Sequence, residues 1–176
     1  AAFSLFKSED YDNVTVQDIC NKCGVTRGAF YYHYKTKDEV INDLFYLPNK
    51  ISIESMQDIV LKDNYIEQFY GLFTIYLDDF ENIGPKITAI LYERYVKNNV
   101  KSFFNPKDFP EFTIYTELIK KAQKAEQIEN MIDPEILAET AAYVANGLGL
   151  AWISAKGQLD FMCEFRRIMD AIFMRK

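Results

Sequence analysis

A chain of 176 residues, 49% of them apolar and 15% aromatic, has material for one or two packed domains. No run of 18 or more apolar residues occurs, which argues against a membrane span, and no signal-peptide pattern is visible. The formal charge is −6, so any contact with nucleic acid must come from a local concentration of cations, and three cysteines without an export signal exclude a disulfide framework and predict a reducing cytoplasm.

Residues 2–9 form the first predicted helix, with Ala2, Leu5 and Phe6 on one side. The second opens at Thr15, which with Asp18 has the spacing of a capping box, and Val16, Ile19 and Cys20 make its apolar stripe. Gly24 can end it with φ > 0, Val25 is expected in the core, and Thr26 caps a third helix over 27–34 with Phe30 and Tyr34 facing inward. This is a helix-turn-helix over residues 15–34. Thr36 and Glu39 predict a second capping box, opening a fourth helix. Its apolar positions Val40, Leu44, Ile51 and Ile59, with the small Ser55 in the same register, keep phase across Pro48, so one long helix kinked at the proline is expected.

After a loop at 62–64, capped by Asn64, the spacing predicts a helix over 65–82 with a broad aromatic face, then one over 85–97 with Pro85 in its first turn. Residues 98–110 are irregular but carry Phe103, Phe104, Pro106, Phe109 and Pro110, side chains that should pack down on something. A helix over 111–127 follows. Asp133 and Pro134 start another that reaches 156, where six alanines with Gly147 and Gly149 permit a close neighbour. Gly157 breaks the chain before the last helix, 159–173, with Met162, Phe165, Ile168, Met169, Ile172 and Phe173 at helical spacing. The fold class is all-α.

Arg27, Tyr31, Tyr32, His33 and Lys37 are long hydrogen-bonding side chains on or just after the second helix of the helix-turn-helix. No acid falls between Asp18 and Asp38, whereas Lys22, Arg27 and Lys35 do, which leaves this stretch locally positive, as phosphate binding requires. Residues 1–47 sum to −2 and residues 48–176 to −4, so an acidic body should stand clear of DNA. The pattern Thr15-Val16, Ile19, Gly24-Val25, Gly28, Tyr31, His33-Tyr34 and Lys37 resembles the DNA-binding signature of the tetracycline-repressor (TetR) family of transcription regulators over residues 2–47. Three positions depart from it: Cys20 and Cys23 stand where small residues are usual, and Asp10 stands where a glycine commonly precedes the aromatic.

The resemblance implies a head of residues 1–47 joined to a ligand-binding and dimerisation domain of residues 48–176. It further implies that Thr26, Arg27, Gly28 and Ala29 face base edges in the major groove, while Thr15, Tyr31, Tyr32, His33 and Lys37 hold phosphates. A homodimer through helices 134–156 and 159–173 would set two heads one turn of a palindromic DNA operator apart. The effector is expected to be an apolar or aromatic small molecule. It would enter a cavity lined by several of Tyr65, Phe69, Phe73, Tyr76, Tyr92, Tyr95, Phe112, Tyr115 and Trp152, rings with hydroxyls on converging helices.

Cys20-x-x-Cys23 has neither the further ligands of a zinc site nor the strand–helix setting of a dithiol enzyme, and reads as two thiols filling the head's core. No catalytic constellation, metal site or cofactor is implied. The expectation is a ligand-responsive repressor, with an all-α adaptor lacking DNA binding as the alternative.

Overall fold

The computed structural model describes residues 2–9, 11–46, 53–97, 105–109 and 111–175, and among these the chain forms ten α-helices and no strand. In chain order they are α1 (Ala2–Ser8), α2 (Val16–Cys23), α3 (Arg27–His33), α4 (Lys37–Tyr46), α5 (Ile53–Val60), α6 (Tyr65–Ile83), α7 (Pro85–Lys97), α8 (Phe112–Lys124), α9 (Pro134–Ser154) and α10 (Phe161–Phe173). A 3-10 turn at Pro106–Asp108 precedes α8. The expected kink at Pro48, and Asp10 with its turn, lie outside the described residues.

Helix ends follow the capping chemistry. The Asp18 N–H donates to Thr15 Oγ1 at 3.2 Å and the Thr15 N–H donates to Asp18 Oδ2 at 2.8 Å, so both halves of the first capping box form. Asn64 Oδ1 accepts from the Ile66 and Glu67 N–H groups, and Asp133 Oδ1 accepts from the Glu135 N–H. The last helix starts later than expected because Asp160, not a residue near 159, takes its first free N–H groups, accepting from the Cys163 N–H at 3.0 Å. The second expected box is displaced: the Glu39 carboxylate accepts from the Lys35 N–H at 2.6 Å, one residue before Thr36.

Two apolar clusters hold the chain together. The larger one is the body, built from α6, α8, α9 and α10 around Phe69, Tyr70, Phe73, Ile119, Phe165, Met169 and Phe173. Ala138 and Ala141 are buried on α9, and their small side chains are what let neighbouring helices come close. α9 is long and apolar enough to cross a membrane by length and composition alone, which a search for an unbroken apolar run overlooks. A polar network ties α10 to α6: the Tyr70 hydroxyl donates to Asp170 at 2.7 Å, and Arg166 and Arg175 donate to Glu67 at 3.0 and 3.1 Å.

The second cluster is the head's core, Leu5, Phe6, Tyr11, Val14, Ile19, Cys20, Phe30, Val40 and Ile41, and it is completed by Ile87, Leu91, Tyr92 and Tyr95 of α7. A helix expected to belong to the body thus finishes the core of the first 47 residues. Two ion pairs cross the same seam, Lys86 to Asp12 at 3.0 Å and Arg94 to Asp38 at 3.9 Å.

Candidate nucleic-acid interface and effector cavity

The turn between α2 and α3 is made by Gly24, whose φ of 68° and ψ of 29° are left-handed, and by the Val25 N–H, which donates to Cys20 O at 3.0 Å. Val25 is not in the core as expected; sitting in the turn beyond the last helical residue, it is 44% exposed. The cysteines also part company, for Cys20 is buried and Cys23 exposed, so only one of them fills the head.

α3 is anchored by one ring. Phe30 is buried, with Tyr31 edge-on at 5.4 Å and Tyr34 at 5.6 Å, and the remaining sides of the helix are open. Thr26, Arg27, Gly28, Ala29 and His33 are exposed, Tyr31 is 48% exposed and Tyr32 85%. Thr26 has a structural task as well, its Oγ1 accepting from the Ala29 N–H at 3.1 Å. The Arg27 guanidinium lies 5.9 Å from the Tyr31 ring, and Tyr32 and His33 meet perpendicularly at 4.9 Å. The expected reading residues of α3 and its cap are therefore exposed.

Nearby acids are engaged by other partners. Asp18 is held below the usual carboxylate range by the Thr15 hydroxyl and amide, and Asp38 accepts from the Tyr11 hydroxyl and faces Arg94. Burial, then the bond to Asp38, pushes the Tyr11 phenol well above its ordinary value. Thr15 is exposed but its hydroxyl is engaged with Asp18. Lys37 differs most from expectation. Its ammonium donates to the carbonyl oxygens of Tyr11 at 2.7 Å, Val14 at 2.9 Å and Asp12 at 3.4 Å, and sits 4.3 Å over the Tyr11 ring.

In the body, α6, α7, α8 and α9 with the 3-10 turn enclose a cavity of about 140 Å³. Phe73, Tyr92, Phe112, Tyr115 and Trp152 of the expected set line it. Phe69 instead lies within the body's core, 5.0 Å from Phe73 and 5.5 Å from Phe173, and Tyr95 belongs to the head's cluster. Tyr65 does not line the cavity; it opens α6 with its N–H on Gln127 and Lys121 over its ring. Tyr76 lies on α6, but its side chain is outside the description. The sequence reading missed Phe80, Phe109, Asn146 and Phe161 as lining residues, although the apolar side chains of the 98–110 stretch were the available signal for Phe109. Burial pushes the Tyr92 phenol up to about 12 and raises that of Tyr115.

The outer face of α9 is also informative. Ile136, Tyr143 and Leu150, seven apart, are 53%, 54% and 55% exposed, and a Cβ added at Gly147 would meet nothing in the chain.

Residues 1–44 match the family described as bacterial regulatory proteins, tetR family. The first 44 residues are therefore similar to the tetR-family DNA-binding domain. Similar proteins include two uncharacterized HTH-type transcriptional regulators of Bacillus subtilis (strain 168). YerO is 26% identical over 57% of this chain and 36% of its own length, and YwcC is 25% identical over 98% of this chain and 80% of its own. The match to YerO thus spans about a third of that relative's length. Both relatives are named as HTH-type transcriptional regulators, in keeping with the helix-turn-helix of residues 15–34.

Proposed function

We propose that the protein is a cytoplasmic, homodimeric repressor that holds a palindromic operator and releases it when a small molecule fills the body cavity. The observation that carries this reading is Tyr92, which belongs to the head's cluster and also lines the cavity. A ligand that moves this ring acts on the helix that completes the head's core and bears Arg94 opposite Asp38. Each protomer would present Thr26, Arg27, Gly28 and Ala29 to bases, with Thr15, Tyr31, Tyr32 and His33 on phosphates. Lys37 would fix the α1–α2 loop from behind. The apolar stripe of α9, with α10 beside it, would pair with its two-fold mate, since one head alone binds weakly.

Gly149→Ala tests the switch. The added Cβ would stand 2.5 Å from the Tyr92 hydroxyl, so the ring must move as it would for a ligand. Reduced operator affinity without effector, in a variant that keeps its far-ultraviolet dichroism, is expected. Unchanged affinity would refute the route through α7. Arg27→Ala tests the reader: footprints on a selected operator should lose discrimination while binding to random duplex persists.

A further inference from the structure

We propose that the cavity selects a lipophilic cation, a compound with one aromatic ring and a quaternary or protonated ammonium group. The proposal rests on the reading of this cavity as the effector site and adds the chemistry of its occupant. Eight of the 21 described lining residues are aromatic, and several of these rings converge, Phe73 lying 4.5 Å from Tyr115. The charged groups among the described lining residues are all of one sign: Glu81 near the end of α6 and Glu111 just before α8, with no lysine, arginine or histidine. Both glutamates are exposed, which puts them at the mouth, while Phe73, Phe112, Trp152 and Phe161 are buried within.

The remaining polar groups of the described lining are all uncharged, so none offers an anion a counter-charge. The Thr88 hydroxyl is committed to Gly84 O at 2.8 Å, and Asn146 turns its carbonyl oxygen toward the Tyr92 hydroxyl at 3.5 Å. An anion entering here would meet aromatic rings and two carboxylates, with no cationic side chain among the described lining residues. An uncharged apolar molecule would gain burial but nothing from Glu81 or Glu111. A cation gains from both, because ring faces attract positive charge and the attraction grows when water is excluded.

Trp152 is the only tryptophan and lines the cavity, so its fluorescence reports occupancy directly. The probes are phenyltrimethylammonium and its uncharged isostere tert-butylbenzene, titrated against the full chain and against the double variant Glu81→Gln/Glu111→Gln. Both glutamates are exposed, so the variant should keep the fold. Expected are tighter binding of the cation than of the isostere and a rise of about tenfold in the cation's Kd in the variant, with the isostere's Kd changed less than twofold. Equal weakening of both probes, or an isostere that binds wild type as tightly as the cation, overturns the cation proposal and leaves the effector cavity standing. If neither probe quenches Trp152 at millimolar concentration, the effector cavity falls with it. A gel shift with selected operator, run without either probe, reads DNA binding independently.

Discussion

Lys37→Met removes an ammonium and keeps the aliphatic stem, and it separates two roles that the sequence alone could not distinguish. In the folded chain the ammonium has two close acceptors, Tyr11 O at 2.7 Å and Val14 O at 2.9 Å, and a third at 3.4 Å. Hydrogen bonds to a charged group contribute about 1.5–3 kcal/mol each, and the ring contact adds roughly 0.5–1. Lys37 is only half-buried, so solvent replaces part of this, and a net loss of about 2 kcal/mol is expected. For a chain of this length that corresponds to a fall in Tm of roughly 4–8 °C by circular dichroism. Operator affinity should fall because the head loosens, while the dependence of log Kd on log salt stays as in wild type. If Lys37 instead neutralised a phosphate, the slope would drop by about 0.9 per protomer with the Tm unchanged. That result would refute the structural role.

Tyr143→Arg/Leu150→Arg places charges on two half-exposed positions of α9, so each chain should fold normally yet elute as a monomer in gel filtration and bind operator more weakly; a persistent dimer would place the interface elsewhere. Above about pH 10 the protein should lose stability. Burial raises the phenols of Tyr11, Tyr70, Tyr92 and Tyr115, so the folded chain keeps protons that the unfolded chain has given up. Tyr92, raised to about 12, alone accounts for a loss of roughly 2–3 kcal/mol once the pH reaches about 12, and tyrosinate absorbance from the buried rings should appear together with the loss of helical dichroism. At the other end, burial raises the Glu67 carboxyl but Arg166 and Arg175 outweigh it and hold it below its ordinary value. Its stabilisation is present above the unfolded carboxyl's range and fades as pH falls through the lowered value. Glu67→Gln should therefore flatten the acid limb of a stability–pH curve, and an unaltered limb would count against the network.

The helices were legible because capping residues, prolines and apolar spacing all act locally. Thr15 with Asp18, Asn64 and Asp133 end up where sequence placed them, and Phe30 anchors α3 as its spacing required. What sequence could not supply was partner choice. Lys37 reads as a free cation until the α1–α2 loop is seen to turn its carbonyl oxygens toward it, and Phe69 and Phe73, one helical turn apart, differ in role only through what packs against each. Val25 and Cys23 are apolar or thiol side chains that sequence assigns to the interior, but Val25 lies in the turn and Cys23 ends α2 on its open side, and both are exposed. Burial of this kind depends on contacts distant in sequence, such as those of α7 with the head.

That shared helix bears on how specificity could be transplanted among such regulators. A graft of the first 47 residues onto another body would set Leu5, Phe6 and Ile41 against an unfamiliar set of side chains where Ile87, Leu91 and Tyr95 now lie. The portable module is discontinuous, a short N-terminal segment plus one inner stripe forty residues downstream. Chimeras that carry both should retain a cooperative melt, and those that carry the segment alone should show it fraying first.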